Sequence, residues 1–99
     1  MKTQFYILLS LKTSGGFTVY GQYFLGDDRE AVYTLFDSLK GNKDLDDPAL
    51  LHIDLMEMID ELPVKIRTVC CTLDELGCNS KLIVKAIFRQ QNLKEWDHL

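Results

Sequence analysis

The chain has 99 residues, 46% of them hydrophobic, and a formal net charge of −4, which together predict one small globular domain over residues 1–99. The acidic balance argues against non-specific binding to nucleic acid or to an anionic membrane, because both need a positive field. No segment approaches the roughly 20 apolar residues of a membrane-spanning helix, and the odd number of cysteines, three, favours a reducing, cytoplasmic setting.

A β-hairpin is predicted near the start, because two runs of alternating apolar residues flank the turn-forming cluster 13–16. The favoured register pairs Leu11 with Phe17, Leu9 with Val19, Ile7 with Gly21 and Phe5 with Tyr23. Gly21 inside the second strand indicates a bulge or a close backbone approach. One face of the hairpin is then fully apolar, and the opposite face carries Tyr6, Leu8, Tyr20 and Phe24.

Residues 26–41 predict an amphipathic helix with a marked start and end. Asp27 is the expected N-cap, and Glu30 completes a capping box. Gly41 can adopt the left-handed conformation that ends a helix. The apolar stripe spans roughly 140° of the helix and consists of Ala31, Val32, Leu35, Phe36 and Leu39. Such a helix is expected to lie on a sheet.

The segment 50–62 is compatible with either a helix or a strand. Asp47 as a cap, Pro48 at the first position and the abundance of Leu, Met and Glu favour a helix. The alternation of apolar and polar residues favours a strand, and residues 64–71 form a convincing strand that needs a partner. A weak resemblance between residues 32–36 and 84–88 suggests a repeated strand–strand–helix unit. We therefore predict a strand, with Asp60 and Glu61 in the hairpin turn.

A last helix is predicted to begin at a second capping box, formed by Thr72 and Glu75. Gly77, Cys78 and Asn79 are expected to interrupt it before the pattern resumes over 80–91. Its apolar residues spread over roughly 240° of the helix, and they are Leu82, Ile83, Val84, Ala86, Ile87 and Phe88. This breadth predicts burial on more than one side. A basic stripe at i, i+4 and i+8 consists of Lys81, Lys85 and Arg89.

The order of these motifs resembles that of small hypothetical proteins from gut Bacteroidota. The residues that carry the resemblance are Phe24-Leu25-Gly26-Asp27-Asp28-Arg29, Leu35-Phe36, Leu39-Lys40-Gly41, Leu62-Pro63-Val64, Cys71-Thr72-Leu73-Asp74-Glu75-Leu76 and Ile87-Phe88. They extend over nearly the whole chain. The resemblance implies a compact bacterial domain and brings no assigned activity with it.

No catalytic, metal or cofactor site is predicted. Cys70 and Cys71 are adjacent, so on a regular strand they point to opposite faces and cannot chelate zinc together. His52 and Asp54 could share a strand face as a base and its orienting group, but no motif places a nucleophile beside them. The acidic run 44–47 lacks the turn glycine and the distal glutamate of an EF-hand.

These elements predict an α+β fold, in which two helices lie on one face of a four-stranded antiparallel sheet in the order ββαββα. Two helices on one face leave the other face uncovered, so the leading hypothesis for function is a non-enzymatic, self-associating interaction module. The expected interface consists of Tyr6, Leu8, Tyr20, Phe24, Lys81, Lys85 and Arg89. Residues 27–61 carry eleven acidic and three basic side chains, so in a homodimer this acidic middle could meet the basic stripe. An acidic or protein partner is also compatible, whereas nucleic acid and membrane are not expected.

The alternative hypothesis is a small-molecule-binding protein or an enzyme. Its pocket would lie between the sheet and the interrupted last helix, near residues 77–80, with His52 or Cys78 taking part. A pocket with convergent polar groups would favour this alternative, and a large flat apolar patch would favour the interaction module.

Overall fold

The computed structural model describes residues 3–42 and 51–96, and their side chains except those of Tyr20 and residues 90–96. The elements in chain order are β1 Thr3–Thr13, β2 Gly16–Gly26, α1 Arg29–Ser38, β3 Leu51–Ile59, β4 Leu62–Cys71 and α2 Leu73–Trp96. The α+β class and the ββαββα order are as predicted. The ambiguous segment is the strand β3, which turns into β4 through Asp60 and Glu61, both with positive φ.

The strands form one antiparallel sheet in the order β2-β1-β3-β4, with the N-terminal strand β1 in its interior. Both helices pack on the same face of the sheet. Their buried side chains lie in one hydrophobic core with alternate residues of the strands. The buried strand residues at this core are Phe5, Ile7, Leu9, Leu25, Leu51, Ile53, Leu55, Val69 and Cys71. The helices contribute Val32, Phe36, Leu39 and Ile83.

The register of the first hairpin differs from the prediction by one residue next to the turn, by two residues at Leu9 and Ile7, and by three at Phe5. Thr13 pairs with Gly16, so the turn is only two residues long, and Leu11 faces Thr18 instead of Phe17. Between Leu9 and Ser10 a register shift leaves one extra residue in β2. Beyond this shift, Leu9 and Ile7 again pair with odd-numbered residues of β2, as predicted. The observed pairs further along are Leu9 with Gly21, Ile7 with Tyr23 and Phe5 with Gly26. Phe17 and Val19 are therefore opposite Lys12 and Ser10, on the face away from the helices.

Gly21 lies where β2 comes close to β1, as its position in a strand predicted. A Cβ at this residue would lie 3.3 Å from the Cβ of Leu9, which is tighter than most such contacts. The register shift is next to it. Both the bulge and the close approach inferred from this glycine are therefore present.

The N-cap of α1 is Asp28, and the prediction of Asp27 is wrong. The Asp28 carboxylate accepts a hydrogen bond from the backbone N–H of Ala31 at 3.1 Å. The helix ends at Ser38, with Leu39 as an extended C-cap, so Gly41 lies beyond the helix end that it was expected to form. Gly41 has φ +149° and instead brings the backbone of the chain against β4.

Replacing Asp28 with alanine is expected to lower the free energy of unfolding by about 1 kcal/mol, the usual loss for an N-cap carboxylate. Asp27→Ala is the matched control, because it removes the neighbouring carboxylate and leaves the cap bond in place. Urea denaturation of both variants measures the difference. A larger loss in the Asp27 variant would contradict this assignment of the cap.

The helix α2 is continuous through residues 77–79, where an interruption was predicted. Its predicted capping box is present: Thr72 Oγ1 accepts from the N–H of Glu75 at 3.2 Å, and Glu75 Oε1 accepts from the N–H of Thr72 at 2.9 Å. Asn79 is fully buried. Its Oδ1 accepts from the N–H of Lys40 at 2.7 Å, and its Nδ2 donates to the carbonyl of Lys40 at 2.8 Å. This tertiary contact offsets the low helix propensity of glycine and asparagine.

The apolar residues of α2 are not all buried in the single chain. Ile83 is buried and Leu82 is half-buried, but Val84 and Phe88 are 52% and 47% exposed. The expectation that this helix is covered on more than one side is therefore wrong for these two side chains.

Candidate interaction surface

The sheet face away from the helices, called the open face here, is formed by alternate strand residues that point away from the core. From β1 and β2 these are Tyr6, Leu8, Ser10, Lys12, Phe17, Val19, Gln22 and Phe24. From β3 they are His52, Asp54, Met56 and Met58. Three large apolar side chains of this face are more than half exposed: Phe17 at 51%, Val19 at 53% and Phe24 at 57%. We call these three residues the β2 patch.

The predicted hairpin residues fall partly on this patch. Phe24 belongs to it, and Leu8 lies half-buried on the same face. Tyr6 is buried, and its ring centroid lies 6.2 Å from that of Phe24. Tyr6 therefore packs against the β2 patch without being exposed itself. The predicted contact through the Tyr20 side chain lies outside the described residues. The sequence reasoning missed Phe17 and Val19, because the predicted register placed them in the core.

The basic stripe lies on the other side of the molecule from the β2 patch. Lys81, Lys85 and Arg89 are exposed on α2, and this helix packs on the core face of the sheet through Ile83. The hairpin residues and the stripe therefore do not form one continuous surface. A flat contact with a partner can include one of them or the other.

The Asp54 carboxylate on the open face of β3 contacts polar side chains of β4. Asp54 is largely buried and accepts a hydrogen bond from the hydroxyl of Thr68 at 2.7 Å, and the Nζ atom of Lys65 lies 3.6 Å away. His52 shares this face, as predicted, and its ring centroid lies 4.3 Å from that of Phe17. These contacts give Asp54 a structural role in joining β3 to β4. His52 instead forms part of the border of the β2 patch.

The three thiols differ in exposure: Cys70 and Cys71 are buried, and Cys78 is exposed. Burial raises the pKa of the Cys71 thiol to about 11; the nearby charge of Glu75 acts in the same direction, and a hydrogen bond with Asn79 opposes both. A thiol that stays protonated at neutral pH is a poor nucleophile. Cys70 is buried as well, so its thiol is shielded from reagents in the folded protein.

A thiol reagent is therefore expected to label Cys78 rapidly in the native protein and to label Cys70 and Cys71 only slowly, because reaction needs an accessible thiolate. The absorbance released from a chromogenic disulfide reagent measures the labelling. The rapid phase in native buffer counts the accessible thiols, and the further release in denaturant counts the buried ones. Rapid labelling of a second thiol in buffer would contradict the packing of the end of β4.

A groove of about 580 Å³ lies between α1 and α2. Its apolar lining includes Leu25, Val32, Leu35, Leu82 and Ala86. Acidic side chains of α1 and its cap, Asp28 and Glu30, line the groove together with the basic side chains Lys85 and Arg89 of α2. The groove thus has an apolar interior between rims of opposite charge.

The groove is not at the place that the alternative hypothesis predicted, near residues 77–80. In that region Asn79 is packed against Lys40, and Cys78 is exposed. His52 lies on the open face, whereas α2 lies on the core face, so the sheet separates them. His52 and Cys78 therefore do not share a pocket.

No protein-family model, curated protein or solved structure matches the chain. In the part of the chain that the structure describes, no helix has the length and apolar character needed to cross a membrane. Within residues 3–42 and 51–96, no cluster of His, Cys, Asp and Glu side chains is arranged to hold a metal ion.

Proposed function

We propose that this protein is a non-enzymatic interaction module that associates with a second copy of itself through the side of the sheet that carries the β2 patch. The observation that carries the proposal is the exposure of Phe17, Val19 and Phe24 on one strand, on the face that neither helix covers. Clustered exposed apolar side chains on a small domain are typical of a protein interaction site.

The size of the β2 patch sets the strength of association that we expect. Full burial of a large apolar side chain contributes about 1.5–3 kcal/mol, and a two-fold contact uses each residue twice. These side chains are already partly covered, so the gain is roughly 5–10 kcal/mol before the cost of association, which is at least about 4 kcal/mol. The expected product is a weak dimer whose population depends on concentration.

We extend the proposal to a bacterial, reducing cytoplasm, in line with the odd number of cysteines, three. The basic stripe on α2 is a separate surface in this proposal, available to an acidic or protein partner. The negative net charge supports a protein partner over nucleic acid.

Light scattering across the micromolar concentration range tests the proposal. The wild-type protein is expected to approach the mass of a dimer at high concentration. Phe24→Ser is expected to weaken association about tenfold or more, because it removes over 1.4 kcal/mol of burial. Phe88→Ser is the matched control, because Phe88 has similar exposure but lies on α2, on the opposite side of the molecule.

Two outcomes would overturn the proposal. One is a wild-type protein that stays monomeric up to high micromolar concentration. The other is dissociation by Phe88→Ser with no effect of Phe24→Ser, which would move the interface to the helical side.

A small-molecule-binding protein or an enzyme is the second candidate, and the groove between α1 and α2 favours it. Its volume, about 580 Å³, lies within the usual range of ligand pockets. Ala86→Trp would fill the groove, so it is expected to abolish binding of an environment-sensitive apolar dye if the groove is a binding site. Dye binding that is the same in wild type and variant would remove the support for this candidate.

A further inference from the structure

We infer that the exposed edge of β2 pairs, antiparallel and about a two-fold axis, with β2 of a second copy, so that two sheets join into one. The inference rests on the proposed self-association and names the element that carries it. The occupant of the edge is a second copy of this chain, and the contact combines backbone hydrogen bonds along the edge with packing of the Phe24 side chain against the facing strand.

The two edges of the sheet, β2 and β4, differ in their chemistry. β2 runs over Gly16–Gly26, 11 residues without a charged side chain or a proline. β4 carries Pro63, Lys65 and Arg67 within its 10 residues. Charges and proline on an edge strand hinder pairing with another strand, and a long uncharged edge favours it. By this criterion β4 is a protected edge and β2 is not.

The chain also covers part of β4 directly. Asn42 and Cys70 exchange two backbone hydrogen bonds, each of 2.8 Å, on the side of β4 that faces away from β3. Among the described residues, β2 has a strand neighbour only on its β1 side. The outward N–H and C=O groups of β2 are therefore available to a partner strand, which is the mode of recognition known as β-augmentation.

The bulges of β2 limit which part of the edge can pair. Register shifts occur between Leu9 and Ser10 and between Phe5 and Tyr6, opposite the two ends of the stretch 21–24 of β2. A bulge disrupts the ladder locally, so the regular stretch between the shifts is the best template for pairing. Phe24 is at the end of this stretch, so edge pairing would bring the β2 patches of the two copies onto one continuous face.

The charges that follow β2 favour the antiparallel arrangement. Asp27 and Asp28 come directly after the strand. In a parallel, in-register pair these carboxylates would lie beside their own copies. In an antiparallel pair centred on 21–24 they lie at opposite ends, roughly 30 Å apart, which is well beyond the screening length of about 10 Å in ordinary salt.

Two-fold symmetry makes a sharp prediction for cross-linking. Paired residues of an antiparallel ladder share a sheet face, so the axis must pass beside one residue that faces its own copy. The two Cα atoms of that residue are about 4.5–5.5 Å apart, within reach of a disulfide. Each step of one residue along the strand separates a residue from its copy by roughly 7 Å more.

The experiment is a cysteine scan of β2 in a Cys78→Ser background, which removes the exposed native thiol. Cysteine is placed singly at Val19, Gln22, Tyr23 and Phe24, and also at Lys65 of β4 as the control. After mild oxidation at a concentration where the wild type is dimeric, a covalent dimer is expected mainly at Gln22 or Tyr23. Little is expected at Val19 or Lys65.

Hydrogen exchange separates edge pairing from stacking of the open faces. Edge pairing is expected to slow exchange of alternate amides of β2 about tenfold or more on going from dilute to concentrated protein, because only the outward N–H groups gain partners. Stacked faces leave those amides unprotected.

A dimer that shows neither preferential cross-linking at Gln22 or Tyr23 nor slowed hydrogen exchange of the β2 amides would overturn the edge inference. The proposed self-association would still stand. A wild-type protein that is monomeric at all concentrations would overturn both.

Discussion

Replacing Gly41 with alanine is expected to lower the free energy of unfolding by roughly 3 kcal/mol or more, through steric overlap and an unfavourable backbone conformation. A Cβ at this position would lie 2.5 Å from the carbonyl oxygen of Cys70 and 2.5 Å from Cγ1 of Val69. The φ angle of +149° is one that residues with a side chain rarely adopt. The Asn42–Cys70 hydrogen bonds hold the same backbone in place, so the overlap cannot be relieved without losing them.

Gly77→Ala is the matched control, and its expected effect has the opposite sign. No atom lies within 4 Å of the position that a Cβ would take at Gly77, and the residue lies inside α2. Alanine there is expected to stabilise the protein by about 0.5–1 kcal/mol, because glycine is a poor helix former. Urea denaturation of the two variants measures both effects. A stabilising Gly41→Ala would show that the chain does not approach β4 at this residue.

Replacing Asn79 with alanine is expected to cost about 2–4 kcal/mol, since it breaks two hydrogen bonds at a buried site and leaves their partners unsatisfied. Asn79 is fully buried and bonds both backbone groups of Lys40. The loss would separate α2 from the chain segment that follows α1. Hydrogen exchange at the Lys40 amide is therefore expected to accelerate by more than the global loss of stability explains.

Two variants test whether the effect belongs to the side chain of Asn79. Cys78→Ala changes an exposed neighbour on the same helix and is expected to leave stability nearly unchanged or slightly raised. Asn79→Asp keeps an acceptor for the Lys40 N–H but sets a carboxylate against the Lys40 carbonyl, so it is expected to be destabilising as well. A neutral Asn79→Ala would mean that these bonds contribute nothing.

The element order could be predicted because it followed from patterns that several residues share. Alternation identified β1, β2 and β4. The need of β4 for a partner, together with the repeated strand–strand–helix pattern, identified β3, where helix propensity alone pointed the other way. The start of α2 followed from a reciprocal capping box, which two side chains specify together. Signals of this kind are not altered by one ambiguous residue.

The errors occurred where a single residue decided the outcome. Asp27 and Asp28 are both good caps, and Glu30, three residues after Asp27, favoured the wrong one through the capping-box spacing. The hairpin turn is one residue shorter on each strand than the flexible cluster 13–16 suggested. The predicted register also paired Phe17 with Leu11, whereas Phe17 pairs with Lys12. This one-residue slip moved Phe17 and Val19 from the predicted core to the open face.

The interruption expected in α2 is absent for a different reason. Gly77 and Asn79 are poor helix formers, and their propensity was judged correctly. The contact of Asn79 with Lys40 joins residues 39 positions apart, so no local pattern could indicate it. The same limit applies to the candidate interface: exposure of Phe24 followed from the alternation of β2, but the separation of the basic stripe from the β2 patch depended on which face α2 covers.

The interior position of β1 has a consequence for how the chain folds as it is synthesised. Its second neighbour, β3, lies 40 to 56 residues later in sequence, so β1 and β2 emerge from the ribosome with an unpaired edge on each side. Contacts between distant segments form slowly, because a long loop must close first. The docking of the β3–β4 hairpin onto β1 is therefore expected to limit the folding rate. Until this docking occurs, either edge of the first hairpin is open to pairing with the same hairpin of another nascent chain. The longer the docking takes, the larger the expected fraction of misassembled chains.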